Sequence, residues 1–459
     1  MRETTKELAA FLAGLEYQNI PSTAVEQAKR CLLDFIGVAL CGANDHTAIK
    51  IFEFFKRLGG TREASIICHD HKTSVPLAAL VNGAMAHGLE LDDGHIVGHV
   101  HPGVTAIPAA LAVGEKMGAS GKDILTAIVA GYETVIRVGD AVTPSAIYDR
   151  GIHAPGLVGA FGASAAVGRL LNLNEKEMTY ALGNCCLTPV SPFQTFIEGA
   201  DIKELYGGWP SLVGALAATM AGDGFTGPVR FFEGPMGFCR NVSENPDLEK
   251  ITESLGDKWR ILEVYFKHHA SCSFSHTMVD AVLAIIETEP IEPEDIRRII
   301  VKTHRFASDL NEKMPDSIPA RKSSLPYCVA VAILRKRVFL DEFTPDPEEN
   351  EKILNLTQKT EVCLDPELDQ LHVSDEGIRP AQVEIYLKNG RVLKKRRDVA
   401  KGWPENPLGL AELEEKFFTL VGPFLSVDRA EEIRKLTAEL ETLPDISKLM
   451  KRLSAIKTE

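Results

Sequence analysis

The chain has 459 residues, of which 45% are hydrophobic and 25% charged, and its formal net charge is −14 at pH 7. That length exceeds what one ordinary hydrophobic core holds, so we expect two domains. An acidic chain with no long basic stretch to offset its charge is unsuited to binding nucleic acid, and a site for an anion would have to be a local basic pocket.

Cysteine usage and hydropathy indicate a reducing, aqueous compartment. The nine cysteines show no paired framework, and Cys185 and Cys186 are adjacent, so a bridge between them would be strained. The N-terminus has Glu3 and no apolar signal core, and the longest apolar run, from Ala154, is broken by glycines and too short for a bilayer. We therefore expect a cytoplasmic protein that is not bound to a membrane.

Helical periodicity dominates residues 1–265. After Pro21, apolar residues from Val25 to Ile36 recur at helical spacing. Similar segments are predicted around residues 75–86, 104–117, 122–138, 155–171, 175–186 and 209–221. Many of them are rich in Ala and Gly, which suits helices that pack closely in a core. This part has no long alternating run, so a Rossmann-type sheet is not expected.

The pattern changes from about residue 266. A β-rich run at Ile299–Val301 predicts a strand, and two alternating runs joined by Asn389 and Gly390 predict a hairpin with a type I′ turn. After Gly409 the pattern is helical again. We expect an α+β middle part and a C-terminal helical piece that packs back onto the first domain.

The segment HGLELDDGHIVGHVHPG, residues 87–103, places four histidines and three carboxylates close together. A metal site, a proton-transfer site and a polar loop without chemistry are the competing interpretations. The candidate metal ligands are Asp92, Asp93, His95, His99 and His101. Their spacing fits neither an HExxH motif nor a Cys/His zinc pattern, so the sequence does not favour a metal site.

Single basic side chains occur among small residues elsewhere in the chain. Arg150 and His153 precede a Gly/Ala helix, and Lys203 precedes a Gly-rich break. Further candidates are His268, His269 and His276 at the expected domain junction, and Arg321 and Lys322 before a predicted helix N-terminus, which can itself bind an anion. Taken alone, each of these residues is more often structural than functional.

In their order and spacing these segments resemble the MmgE/PrpD family, which includes 2-methylcitrate dehydratases and cis-aconitate decarboxylases. The resemblance covers nearly the whole chain. The segments that carry it are Asp92-Asp93 with His101-Pro102, RGIHAPGLVGAFGASAA at 150–166, Lys203 with Leu205, GFTGP at 224–228, residues 322–333, and Asn-Pro-Leu at 406–408.

The resemblance implies a mainly α fold. It divides the chain into a large all-helical domain built from both ends, residues 1–265 and 403–459, and a smaller α+β lid domain, residues 266–402. It also implies a homodimer, an active site between the domains, a small anionic substrate, and catalysis without a metal or organic cofactor.

The family pattern, together with the chemistry of the residues, gives the candidate site. The catalytic candidates are His101, His153, Lys203 and Asp93, and the substrate-binding candidates are Glu90, Asp92, Arg150, His269, His276 and Lys322. Removal of a proton beside a carboxylate adds negative charge to an anion, so fixed cations must stabilise the product of that step. We assign His101 as the base and His153 as the acid, with Asp93 orienting an imidazole.

The predicted function is that of a cofactor-independent lyase, a hydro-lyase similar to 2-methylcitrate dehydratase, acting on a small di- or tricarboxylate. Departures from the family pattern at Glu90, Gly94 and Cys272-Ser273, and a longer loop from Asp93 to His101, leave the substrate open. The alternatives are an epimerase of an iminodisuccinate-like amino dicarboxylate, a cis-aconitate-type decarboxylase, and a helical protein that binds carboxylates without catalysis.

Overall fold

The structure is a computed structural model, and it describes residues 3–143, 146 and 150–454. Helices dominate it, as the sequence predicts. In chain order the α-helices are α1 (Thr4–Ala13), α2 (Ser22–Gly42), α3 (His46–Arg57), α4 (Val75–His87), α5 (Gly103–Met117), α6 (Gly121–Val142), α7 (Ala154–Leu170), α8 (Glu175–Asn184), α9 (Gln194–Ile197), α10 (Leu205–Gly222), α11 (Phe238–Val242), α12 (Glu249–Thr252), α13 (His276–Thr288), α14 (Arg305–Ser308), α15 (Ile318–Ser323), α16 (Leu325–Arg335), α17 (Pro347–Gln358), α18 (Pro366–Ser374), α19 (Leu410–Val421), α20 (Val427–Ala438) and α21 (Ser447–Leu453). The strands are β1 (Ala64–Ser65), β2 (Lys72–Thr73), β3 (Ile296–Thr303), β4 (Thr360–Leu364), β5 (Ala381–Leu387) and β6 (Val392–Arg397).

The helices of the first half pack at short range because small residues line their contacts. Helix α7 lies against α5, α6 and α10, and α10 also contacts α4. A β-carbon added at Gly208 of α10 would lie 2.0 Å from the carbonyl oxygen of Leu80 in α4. One added at Gly162 of α7 would lie 2.1 Å from a methyl carbon of Val135 in α6. Neither position has room for a side chain, so glycine permits these close approaches.

The C-terminal helices return to the first half of the chain. Helix α19 packs on α2, where Phe417 covers Gly37. The ammonium of Lys416 in α19 lies 2.7 Å from the carboxylate of Asp34 in α2 and also donates to the backbone of the segment after α4. Helix α19 therefore packs against the first half of the chain, while the union of both chain ends in one domain stays a prediction. The domain boundaries at residues 265 and 403 stay predictions, which these contacts support.

The middle part contains a four-stranded sheet with the order β4-β3-β5-β6. Strands β3 and β4 are parallel, whereas β3, β5 and β6 are antiparallel neighbours. Val301 in the central strand pairs with Val362 on one side and Val383 on the other, and all three side chains are buried. Helix α13 covers β5 and β6. The sequence pattern thus located both the strand at Ile299–Val301 and the hairpin.

The hairpin turn differs from the predicted type I′ geometry. The amide of Gly390 donates to the carbonyl of Leu387 over 3.1 Å, and the amide of Leu387 donates to the carbonyl of Arg391 over 2.9 Å. Only Gly390 in this loop has a positive φ, 87°, while Asn389 does not. A type I′ turn needs positive φ at both central residues, whereas this three-residue loop is a type I turn followed by a left-handed glycine.

Among the described residues, no helix combines the length and the apolar composition needed to cross a bilayer.

Candidate active site

Helix ends place the histidines of the first half around one cavity. Helix α4 ends at His87 and α5 begins at Gly103, so residues 88–102 run as a loop between two packed helices. His153 immediately precedes α7, and its amide donates to the carbonyl of Ser191 over 2.7 Å. The backbones of Gly94 and Tyr265 pair through two hydrogen bonds of 3.1 and 2.8 Å, which join this loop to the start of the middle part.

The cavity has a volume of about 560 Å³, within the range of about 300–1,000 Å³ common for small-molecule sites. Both parts of the chain line it. Its polar and aromatic lining includes His87, Glu90, His99, His101, His153 and Tyr265 from the first part, and Lys267, Ser273, Phe274, Asp309, Glu312 and Arg379 from the second.

The loop carries two residues in the left-handed backbone conformation. Glu90 has φ of 55° and His99 has φ of 51°. For residues with a β-carbon this conformation costs about 1–2 kcal/mol. Both side chains line the cavity, so the surroundings impose the strain where a ligand would bind.

Glu90 lies between two lysines that come from distant parts of the chain. Its carboxylate forms ion pairs with Lys203 and with Lys267, whose ammonium lies 2.8 Å away, and all three residues are buried. Burial alone would raise the pKa of Glu90, but the charges of Lys203 and then Lys267 outweigh it and hold that pKa well below its usual range. Burial would likewise lower the pKa of Lys267, but Glu90 and then Asp92 raise it above its usual range. Glu90 and Lys267 are therefore both ionised at neutral pH.

Asp92 orients two imidazoles. One of its carboxylate oxygens lies 3.0 Å from Nδ1 of His87 and 3.0 Å from Nδ1 of His101. Nδ1 of His101 is also 2.7 Å from the backbone carbonyl oxygen of Asp93. A carbonyl can only accept, so Nδ1 carries the proton and the neutral ring of His101 has its lone pair on Nε2.

Three imidazoles, those of His87, His101 and His153, form a cluster at this end of the cavity. The ring centroids of His87 and His101 are 5.5 Å apart, and those of His87 and His153 are 6.0 Å apart. Burial, and then the charge of Lys203, lower the pKa of His87 to about 4. Burial, followed by His87, lowers the pKa of His153 well below its usual range. Both rings are therefore neutral at pH 7 in the absence of a ligand.

Asp93 does not contact an imidazole through its carboxyl group, contrary to the role predicted for it. That carboxyl accepts hydrogen bonds from the hydroxyl of Tyr132 and, over 3.0 Å, from the amide of Gly103 at the start of α5. Burial raises its pKa to about 7, although the hydrogen bond from Tyr132 opposes this. Asp92 orients the imidazoles instead, because the side chains of the adjacent residues Asp92 and Asp93 point in different directions.

Lys203 and Lys322 line a second cavity of about 210 Å³ rather than the first. Glu90 lines both cavities, so Lys203 meets the larger one through its ion pair with Glu90. The ammonium of Lys322 donates to the carbonyl of Leu89 over 3.0 Å, and burial lowers its pKa. Lys322 therefore supports the backbone beside Glu90.

The other predicted binding residues lie outside the linings described for the two cavities. His269 forms an ion pair of 2.8 Å with Asp280, and His276 lies 3.3 Å from the carbonyl of Ser271. These contacts brace the segment that carries Lys267. Arg150 is exposed.

The described residues contain no group of three or more His, Cys, Asp or Glu side chains arranged to hold a metal ion. Two of the three carboxylates of the crowded segment contact lysines or histidines: Glu90 pairs with Lys203 and Lys267, and Asp92 with His87 and His101.

Comparison with known proteins identifies the chain's relatives. The sequence profile of the MmgE/PrpD N-terminal domain matches residues 6–251, and that of the MmgE/PrpD C-terminal domain matches residues 269–442. The chain belongs to the MmgE/PrpD family. Similar members are the cis-aconitate decarboxylase-like protein oryM of Aspergillus oryzae, 26% identical over 98% of this chain and 97% of the relative, and the cis-aconitate decarboxylases of Aspergillus terreus, 25% identical over 98% and 96%, and of Homo sapiens, 24% identical over 98% and 94%.

Three residues at the cavity of this MmgE/PrpD protein were missed by sequence reasoning. His87 belongs to the crowded segment but ends the preceding helix, and Lys267 stands directly before the two histidines that drew attention. The available signal for Lys267 was a lysine in a stretch of the sequence that is otherwise buried. Arg379 lies in the loop between α18 and β5, where no local pattern marks it.

We predict that Glu90→Gln strongly destabilises the protein. The substitution leaves Lys203 and Lys267 buried without their common carboxylate, and removing one partner of a buried ion pair costs about 3–5 kcal/mol of unfolding free energy. Glu289→Gln is the matched control, since Glu289 pairs with Arg391 at the surface, where such pairs contribute about 0–1 kcal/mol. Thermal unfolding of both variants measures the difference, and equal melting temperatures would contradict the ionised group described above.

Proposed function

We propose that this protein is a cofactor-independent lyase that acts on a small di- or tricarboxylate by removing a proton from the carbon beside a carboxylate, with dehydration as its reaction. The observation that carries the proposal is the arrangement of His101, whose Nδ1 is fixed by Asp92 and by the carbonyl of Asp93, at a cavity that Lys267 also lines. This supplies a base with a defined lone pair beside a fixed cation.

His101 suits the role of base better than its neighbour His87. Its side chain keeps 14% of its surface exposed, whereas that of His87 keeps 1%. A ligand in the cavity can therefore approach Nε2 of His101 more freely. Asp92 stabilises the imidazolium that forms when His101 accepts the proton, because its carboxylate is held ionised.

Lys267 is suited to stabilise the negative charge that develops on the substrate carboxylate when the proton leaves. It lines the cavity and is held ionised by Glu90 and Asp92, so it is placed to donate a charge-assisted hydrogen bond without reorganisation during the reaction. Lys203 contributes indirectly, by holding Glu90 and through it Lys267.

His153 is the proposed acid. It is neutral in the unliganded cavity, but an anionic ligand placed beside an imidazole raises its pKa, so His153 gains a proton as the substrate binds. In dehydration the C–H bond breaks and its proton goes to His101. The released electron pair forms the carbon–carbon double bond, the C–O bond breaks, and the leaving hydroxide takes the proton of His153 to give water.

Decarboxylation is the second candidate, and the decarboxylases among the relatives favour it. In that reaction the bond between carbon and a carboxylate breaks, carbon dioxide leaves, and the electron pair on carbon accepts a proton from a protonated histidine. The same residues would serve, with an acid rather than a base acting at carbon.

Family membership also supports a homodimer, in which each protomer has a helical body of residues 1–265 and 403–459 and a lid of residues 266–402. The cavity is lined by residues of both parts, which fits a proposed site between body and lid.

The test of the proposed function is proton NMR of a panel of citrate-, aconitate- and aspartate-derived acids incubated with the protein in heavy water. We expect one acid to exchange its α-hydrogen for deuterium and to lose water. Loss of carbon dioxide would favour the second candidate, and exchange with inversion but no elimination would identify an epimerase. Saturable binding with neither exchange nor turnover across the panel would overturn the proposal.

On the acid that reacts, His101→Asn should lower kcat by about 10²–10⁴-fold, the usual contribution of general acid–base catalysis. His71→Asn is the control, because His71 lies between β1 and β2 and is not a residue of either cavity described above. Unchanged kcat in the His101 variant would exclude it as the base.

Ligand binding should be coupled to proton uptake by His153. The ring is neutral at pH 7 when unliganded, and a bound polycarboxylate raises its pKa, so binding takes up as much as one proton and weakens as pH rises through the pKa of the complex. Calorimetric titration with tricarballylate in buffers of different ionisation enthalpy measures the uptake. The uptake should disappear in His153→Asn, and an equal uptake in that variant would contradict the assignment.

A further inference from the structure

The part of the cavity lining around Arg379 differs in its contacts from the histidine cluster. The Arg379 side chain is 2% exposed and lines the cavity. It donates to the hydroxyl of Ser273, to Nδ1 of His99 over 3.0 Å and to the carbonyl of Ile96 over 3.4 Å. Its central carbon lies 4.3 Å from the ring centroid of Phe274, so an aromatic face covers one side of the guanidinium.

None of these contacts neutralises the guanidinium. Its partners are a hydroxyl, an imidazole and a carbonyl, and no described carboxylate forms an ion pair with it. Nε of Arg379 is buried and has no hydrogen-bond partner among the described residues. Burial of a cation costs free energy unless a counter-charge and hydrogen bonds compensate its lost hydration, so an anion bound beside Arg379 would be stabilised.

The residues around Arg379 do not neutralise its positive charge. Burial, followed by the charge of Arg379, lowers the pKa of His99 well below its usual range, so the imidazole is neutral. The acidic residues Asp309 and Glu312 also line the cavity, but both are exposed and therefore hydrated. At the histidine end, by contrast, Lys267 already has Glu90 and Asp92 within 3.7 Å.

We propose that Arg379, Ser273 and His99 form a carboxylate-binding subsite that recognises a second carboxylate of the substrate, remote from the carbon that loses its proton. The subsite adds a binding role to the proposed function, and its relevance to catalysis rests on that function. A guanidinium suits this role because its planar donors match the two oxygens of a carboxylate. The site should therefore accept acids with two or three carboxylates and discriminate against monocarboxylates.

Binding measurements on the full chain test the subsite without requiring turnover. The probes are tricarballylate, glutarate and butyrate, whose affinities for the wild type, Arg379→Gln and Ser273→Ala are measured by calorimetry. Arg391→Gln is the control, since Arg391 lies in the hairpin loop, is exposed and pairs with Glu289. Melting temperatures without ligand show whether each variant is folded.

We expect the wild type and Arg391→Gln to bind tricarballylate and glutarate more tightly than butyrate. Arg379→Gln should raise the Kd of the two polycarboxylates about tenfold or more and leave that of butyrate unchanged, because only a second carboxylate reaches the subsite. Ser273→Ala should produce a smaller rise, and this variant retains the guanidinium if Arg379→Gln proves unfolded. Equal affinities for all three probes in the wild type, or equal losses for butyrate and tricarballylate in both variants, would overturn the subsite.

The two proposals fail in different ways. Loss of tricarballylate binding in Arg379→Gln, with no exchange of any acid by the wild type, would support the subsite and contradict the lyase. Exchange by the wild type, with Kd and KM unchanged in both variants, would support the lyase and contradict the subsite.

Discussion

The buried carboxylate of Glu90 holds together three parts of the chain that are far apart in sequence. It binds Lys203, which precedes α10, and Lys267, which begins the middle part, while its own loop connects α4 to α5. Three buried charges are tolerable only in contact with one another, because each alone would have to leave water without compensation. This constraint fixes Lys267 at the cavity.

The cavity is lined by two unlike groups of residues. In the first group every charge of Glu90, Asp92 and Lys267 has a partner, while burial lowers the pKa of His87 and of His153 and keeps both rings neutral. In the second group Arg379 has hydrogen bonds but no counter-ion among the described residues. In the proposed function the first group would serve the chemistry and Arg379 would bind a second carboxylate, which would orient an acid carrying more than one carboxylate.

Much of the fold could be predicted from the sequence because burial repeats with the period of the local structure. Helix α19 begins directly after Gly409, where the pattern predicts a return to helix, and β3 and the hairpin were recognised from short apolar runs. The turn at Gly390 was wrong in type because one extra loop residue changes which positions need a positive φ. Residue preferences alone do not predict a difference of one residue in loop length.

The site was harder to predict because its contacts are long-range. The crowded segment drew attention to residues 87–103, four of which line the larger cavity. Whether Asp92 or Asp93 faces the histidines depends on one step of loop conformation. Arg379 contacts His99, which is 280 positions away in the sequence, and no residue pattern in the loop of Arg379 predicts that contact. Lys203, predicted as a catalytic residue, pairs with Glu90 of the acidic segment and lines the smaller cavity.

A crystal structure of the protein with tricarballylate bound tests the central claim most directly. The account predicts one carboxylate against Lys267 and His101 and another against the guanidinium of Arg379, with the carbon between them within reach of Nε2 of His101. A ligand bound elsewhere, or bound in this cavity without contact to either Lys267 or Arg379, would contradict it.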